Sequence, residues 1–274
     1  MADAISLTSG MRSNLLSLQG TAKLIDQTQT RLSSGKKVNT PLDNPTNYFA
    51  AQNHMSRASD LSIRKDGMAE SIQMVTAADT GIKAISALIG AAQGVAGAAL
   101  ATSDAAERST YTTTFNTLLT QISQLASDSG YRGTNLLTAG STTVEFGQRT
   151  NAATLQISGF SALADGLTIS SAVSNAWSAS GTSAINSSSN QLESALSFLR
   201  SKSSALSANL SVVTTRQDFT NTMINTLQTG SDNLTLADTN EEGANMLMLQ
   251  TRQNLGITSL SMASQSAQAV LRLF

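Results

Sequence analysis

The side chains able to do chemistry are few and scattered. His54 is the single histidine and the chain has no cysteine, which excludes disulfides, thiolate nucleophiles and Cys/His metal sites. A lone imidazole within a helical pattern reads as a packed or solvated residue, because catalysis and ligation both need partners. Ser34-Gly35-Lys36-Lys37 has the tail of a phosphate loop. Residue 30, however, is Thr where the leading glycine belongs, and no strand precedes the run. The carboxylate pairs Asp104/Glu107 and Glu241/Glu242 fall where helical patterns begin, and there acidic groups meet free N–H donors and the positive end of the dipole. No nucleophile and base stand together. The chain reads as a non-enzyme that uses no metal or cofactor.

The background composition points the same way. Of 274 residues only 4% are aromatic and 13% charged, with a formal net charge of −1. Bulky side chains are too sparse for a thick core and suit thin helix–helix seams instead. No cluster of Lys and Arg is present to bind nucleic acid. From Ala84 to Ser103 there is no charge, but the stretch is mostly Ala, Gly, Ser and Thr, so a soluble helix is expected and not membrane insertion. Met1 to Leu16 lacks a basic stretch leading into an apolar run, so no cleavable secretory signal is visible.

The elements that position these residues are long helices. Leu15, Leu18, Ala22, Ile25, Gln29 and Leu32 alternate steps of three and four, the seam of a coiled coil. That seam stops at Gly35. Both prolines of the chain, Pro41 and Pro45, lie in one joint, where Asn44 suits an N-cap and Pro45 the first helical position. A second helix is predicted from Pro45 to about Leu100, along Leu61, Met68, Ile72, Val75, Ile82, Ile85 and Ile89. Gly90, Gly94 and Gly97 each cost roughly 1 kcal/mol relative to Ala in such a helix. Close packing and deliberate flexibility both account for that cost. A third helix opens at a capping box of Asp104 and Glu107 and closes at Gly130.

Between Tyr131 and Ser189 the texture changes. Short alternating runs at residues 143–146, 154–157 and 167–169 predict brief strands, and 170–189 reads as a Ser/Ala/Asn-rich loop. Helical pattern returns at Asn190 along Leu192, Leu196, Leu199, Leu206, Leu210, Val213, Thr220, Ile224 and Leu227, with a break near Gly230. A last helix opens at Thr239 and follows Met246, Leu249, Gln253, Gly256, Leu260, Ala263, Ala267, Val270 and Phe274. The fold class is therefore mainly α. A long antiparallel bundle or coiled coil pairs the terminal regions, and a small β-hairpin segment (about 131–189) lies mid-chain. The chain divides into 1–44, 45–235 and 236–274. Seams this poor in bulky residues bury too little to offset backbone entropy of roughly 1–2 kcal/mol per residue. The two ends are expected to order only when copies of the chain cover them, as an open helical polymer.

Several stretches in order along the chain resemble flagellin. Gln29-Thr30-Arg31-Leu32-Ser33-Ser34-Gly35-Lys36-Lys37-Val38 is similar to that family's LSSGKR-type signature, and Asp43-Asn44-Pro45-Thr46 to the joint that follows it. Asp66 to Gln73 matches its DG-x-S-x-x-Q element. Tyr131-Arg132-Gly133-Thr134-Asn135-Leu136-Leu137 takes the place of its T-x-F-N-G-x-x-L-L segment. Ala263 to Phe274 looks like its C-terminal signature, with Ala267 for a late proline and Phe274 for a final aliphatic residue.

The resemblance implies a secreted, extracellular subunit of the bacterial flagellar filament. Its partners would be itself and sibling flagellins, the flagellar export apparatus and a chaperone, and the filament cap and hook-associated proteins. The terminal helices would form the inner tube, with Leu15, Leu18, Ile25, Leu32, Leu249, Leu260, Val270 and Phe274 as assembly core and Pro41, Asn44 and Pro45 as the joint. Large outer domains are missing, as in the short flagellins of alphaproteobacteria. Where flagellins sensed by the innate Toll-like receptor carry charges, this chain has Gly90, Ala91, Ala92 and Gln93, which implies weak receptor activation. The Ser and Thr residues within 138–189 read either as a solvated loop or, by the same resemblance, as acceptors of O-linked sugar. A hook–filament junction protein shares the terminal helices and is the alternative reading. The run at residues 32–37 and the complete C-terminal signature favour flagellin.

Overall fold

A computed structural model describes residues 9–147, 153–177 and 181–271. Its elements are α1 (Ser9–Ser34), α2 (Pro45–Ala101), α3 (Ala105–Asp128), β1 (Ser141–Glu145), β2 (Thr154–Ser158), α4 (Thr182–Thr235) and α5 (Thr239–Leu271). The chain is mainly α with one small antiparallel sheet in its middle. It forms two compact units, one of Met1–Ala58 with Asn225–Phe274 and one of Ser59–Ile224.

Local chemistry sets most helix ends. Gly35 closes α1 in the left-handed region at φ +68°, which costs glycine nothing. Asn44 caps α2, its side-chain oxygen accepting from the Asn47 N–H at 3.0 Å, and Pro45 follows where its missing N–H is not needed. Asp104 caps α3 by accepting from the Ala106 and Glu107 N–H groups at 2.7 and 3.2 Å. The Asp104 N–H itself donates to the Thr102 hydroxyl at 3.1 Å. Arg108 is buried and donates from Nε to the carbonyls of Ala99 and Thr102 at 2.9 and 2.8 Å, so its charge lies against the negative end of α2.

Three local expectations are corrected. α4 starts at Thr182, not Asn190, because Ile185 and Ser188 are buried on the same line as Leu192. Burial outweighs the weak helix propensity of the Ser- and Asn-rich stretch. Nor does Gly230 break α4, since Leu227, Ser231 and Thr235 carry the buried stripe past it. Residues 167–169 are not a strand. Thr168 sits at φ +57°, and the Leu167, Thr168 and Ile169 N–H groups donate back to Leu163, Asp165 and Ala164. α3 ends at Asp128 with Ser129 as its C-cap, so its stop falls at Gly130 as expected, and Asn135 completes it. The Asn135 amide donates to the carbonyls of Ala126 and Ser127 at 2.8 and 2.9 Å, taking up orphan acceptors of the last turn.

The unit of residues 59–224 has one core. It gathers Met68, Val75, Ile82, Ile85 and Ile89 of α2 with Phe115, Leu119 and Ile122 of α3, and Leu192, Leu199, Leu206 and Val213 of α4. In the sheet Ser141 pairs with Ser158 and Glu145 with Thr154, placing Val144 and Ile157 inward. Trp177 closes the core, its ring 5.0 Å from Phe115. Tyr131 and Thr134 bracket a tight turn with Arg132 at φ +47° and Gly133 at φ +81°. Both central residues have positive φ, the type I′ pattern, and the turn delivers Leu136 and Leu137 to the core. Gly159 approaches the Gly140 and Leu136 carbonyls too closely to admit a Cβ. By length and composition α2 does reach what a membrane crossing needs, contrary to the expectation from its small polar residues. Of its aliphatic side chains Ile85 and Ile89 lie in this core and Leu88, Val95 and Leu100 are half-buried against it, and the stripe left outside includes Gly90, Ala91, Gly94 and Gly97.

Candidate functional site

The unit of the two chain ends holds the features of interest. α1 and α5 pack along each other and run antiparallel, since Arg31 meets Glu242 at one end while Leu18 abuts Gly256 further along. At Gly256 a Cβ would stand 2.6 Å from Leu18 Cδ2, so the absent side chain is what lets the helices close. The covered line on α5 is Glu242, Met246, Leu249, Gln253, Gly256, Leu260, Ala263 and Ala267. On α1 it is Met11, Asn14, Leu18, Thr21, Ile25 and Thr28. That line is turned partly away from the seam read in the sequence. Leu15 and Leu32 remain 39% and 40% exposed, while Thr21 and Thr28 are buried in their stead. Leu18, Ile25 and Leu260 are half-buried and Leu249 is buried. The Val270 side chain and Phe274 lie outside the described residues.

The uncovered faces also carry large apolar side chains. Besides Leu15 and Leu32, α1 exposes Leu16 and Leu24, and α5 exposes Leu247, Met248, Leu255, Ile257 and Met262. Leu247, Met248, Thr251, Arg252 and Leu255 line a shallow apolar groove on α5. Among the described residues the buried side chains on these two helices are Met11, Thr21, Thr28, Glu242 and Leu249, of which Met11 and Leu249 are apolar. A helix pair that hides threonine and shows leucine lacks further neighbours.

The joint is laced by the backbone. The Lys37 and Val38 N–H groups both donate to the Thr235 carbonyl at 2.7 and 3.3 Å, and the Ala237 N–H donates to Gly35 at 3.0 Å. Lys36 and Leu236 pair as an antiparallel bridge. Pro41 occupies the second position of a turn closed by Asp43 N–H donating to the Thr40 carbonyl at 3.1 Å. The Asp43 carboxylate then accepts from the Asn39 N–H, the Thr40 N–H and the Thr40 hydroxyl at 3.0, 2.9 and 3.1 Å. The Thr40 and Asn39 backbone hydrogen bonds, with a smaller pull from the Arg31 charge, hold this carboxyl below its ordinary value.

The folded loop therefore prefers ionised Asp43. Its stabilisation is complete above the ordinary aspartate pKa of about 3.9 and is lost as pH falls through the lowered folded value. The Asn39 and Thr40 amide resonances are expected to titrate with a midpoint below that of free aspartate. Asp43→Asn is expected to abolish the transition. A midpoint at or above the free value contradicts this geometry.

The remaining singled-out residues lie apart from this surface. His54 is half-buried on α2, 3.8 Å from where a Gly230 Cβ would stand. Gly90 and Ala91 are exposed and Gln93 half-exposed, whereas Ala92 is inside the core and offers no surface to a receptor. A Cβ at Gly90, Gly94 or Gly97 would meet nothing within 4 Å, so packing within the chain does not explain these glycines. Of the described hydroxyls within 138–189, Thr138, Ser141, Thr143, Thr154, Ser158, Thr168, Ser170, Ser171, Ser174, Thr182, Ser183 and Ser187 are exposed, and Thr150, Ser178 and Ser180 lie outside the described residues. Among the described residues no three of His, Asp and Glu gather as metal ligands. Sequence reasoning missed Asp43 as the organiser of the joint and Arg31 as the partner of Glu242. The signal for Asp43 was the turn chemistry of Thr40-Pro41-Leu42-Asp43. For Arg31 there was none, because its partner lies 211 residues away.

Comparison with known proteins agrees with this architecture. The family model of the bacterial flagellin N-terminal helical region matches residues 6–143, about half of the chain. Flagellin FljM of Caulobacter vibrioides is 26% identical over 273 residues, covering 99% of this chain and 98% of that protein. Flagellin FljK of the same organism is 27% identical over 283 residues, with the same coverage. A flagellin of Brucella melitensis is 25% identical over 287 residues, 100% of this chain and 99% of its own length. The exposed apolar faces of the paired end helices, the joint signature and the match over the whole length lead to one assignment: the chain belongs to the flagellin family.

Proposed function

We propose that this chain is a structural subunit that polymerises with copies of itself, and with sibling flagellins, into the extracellular filament of a bacterial flagellum. The observation that carries this reading is the burial pattern of α1 and α5, which leaves Leu16, Leu24, Leu247, Met248, Leu255, Ile257 and Met262 exposed while Thr21, Thr28 and Glu242 are buried. Burying a leucine from water contributes about 1.5–3 kcal/mol, so neighbours that cover those faces supply what the isolated pair lacks. Two such faces on one molecule, joined head to tail without closure, give a helical polymer.

In this reading α1 and α5 line the inner tube and gain full order only on assembly, by mass action. The joint at Pro41, Asn44 and Pro45 sets the path between the end helices and the rest of the subunit. Delivery by the flagellar export apparatus with a chaperone, and contact with the filament cap and hook-associated proteins, belong to the same proposal. The test is electron microscopy of purified chain after dilution and re-concentration. Long filaments are expected. A protein that stays monomeric at every concentration, with both ends resistant to protease, would sink it.

A further inference from the structure

We infer that the Arg31–Glu242 pair is a brake on the pairing of α1 with α5, keeping these helices short of order until a neighbouring copy covers them. The inference rests on the self-assembly reading above and adds a regulatory element to it.

Arg31 Nη1 donates to Glu242 Oε1 at 3.1 Å, and Glu242 is only 7% exposed. Beyond that bond one atom of each partner is unsatisfied, although the Arg31 side chain is 31% exposed. Arg31 Nε and Glu242 Oε2 are both closed to solvent, and neither has a hydrogen-bond partner among the described residues. Removing the Glu242 carboxylate, and part of the Arg31 guanidinium, from water is offset only when the remaining donors and lone pairs closed to solvent are also bonded. One bond to one carboxylate oxygen leaves that condition unmet. The nearest buried residue along α1 is Thr28, and the further charge that feels Arg31 is the exposed Asp43 carboxylate.

Two ordinary explanations fail to account for such a pair. Register between the helices does not need it, because the residues 35–38 are already laced to 235–237 by backbone hydrogen bonds. The helix dipoles do not need it either. Arg31 lies in the last turn of α1 and Glu242 in the first turn of α5, but an exposed charge at either place gains the same interaction without desolvation. What the burial adds is a penalty, felt whenever α1 and α5 close on each other. Buried pairs of this kind, replaced together by apolar residues of similar volume, are often neutral or more stable, whereas loss of one partner strands the other.

The test is a double-mutant cycle in the full chain with Arg31→Met, Glu242→Leu and the two combined. Protease protection of α1 and α5 is measured on dilute monomer, and the critical concentration for polymer by sedimentation. Each single variant is expected to lose protection and to raise the critical concentration about tenfold or more. The double variant is expected to be better protected than the parent and to polymerise at about a tenfold lower concentration. A double variant no better protected than the parent overturns the proposal, since an ordinary stabilising salt bridge behaves that way. If the parent forms no polymer at all, the self-assembly reading fails, while the protection of dilute monomer still decides the sign of the pair.

Discussion

A chain carrying Leu247→Asp and Leu255→Asp is expected to remain monomeric at concentrations where the parent polymerises, with the unit of residues 59–224 fully folded. Both leucines are 67% exposed, so their replacement touches little inside the isolated molecule. Surface substitutions of this type usually change stability by within about 0.5 kcal/mol. In the polymer proposed above the same positions would be covered, and each subunit would then forfeit two buried leucines, about 1.5–3 kcal/mol apiece. It must also bury or strand two carboxylates. Together these raise the critical concentration by about a thousandfold or more. Sedimentation and electron microscopy read the polymer, and circular dichroism reads the fold. Filaments at the parental concentration would show that these faces are not the contact.

Phe115→Ala is expected to have the opposite profile, with a large loss of stability inside the unit of residues 59–224. Phe115 is fully buried on α3 and packs against Trp177 at 5.0 Å between ring centroids. Truncating a buried phenylalanine costs about 3–5 kcal/mol through lost transfer and the cavity left behind. The tilted ring pair adds roughly 0.5–1.5 kcal/mol. Trp177 is the only tryptophan, so its fluorescence reports unfolding of this core without ambiguity. The urea midpoint is expected to fall sharply; a change equivalent to less than about 1 kcal/mol would mean that the core collapses around the site.

What was legible in the sequence is what local periodicity and capping chemistry encode. The stripe from Leu192 to Leu227 predicted the buried face of α4, and Met246 to Ala267 that of α5, because repeated three–four spacing survives any tertiary context. Gly35, Asn44, Pro45 and Asp104 marked helix ends for reasons internal to a few residues. The failures share another cause. Residues 182–189 have weak helix propensity but carry Ile185 at a position the core needs. Leu167 and Ile169 alternate like a strand yet bury themselves through a turn. On α1 the sequence offers leucines on more than one face, and only the partner decides which face closes. Choosing Leu15 and Leu32 for the seam follows hydrophobicity, whereas the structure places Thr21 and Thr28 there and leaves the leucines outside. The contacts of Arg31 with Glu242 and of Asp79 with Ser203 Oγ, at 3.1 and 2.7 Å, join residues far apart in the chain and left no local trace.

The division of the chain into one continuous stretch and one made of two ends has a kinetic consequence. Residues 59–224 contain every segment their core requires, so that stretch can reach its structure early, from contacts among consecutive elements. The other unit must bring together partners 211 positions apart, and the entropy of closing so long a loop weighs on it while the intervening chain is slack. Collapse of the middle shortens the effective span before the extremities meet. The extremities are thus the last part to fold and the first to open, which leaves them free to be claimed by another molecule.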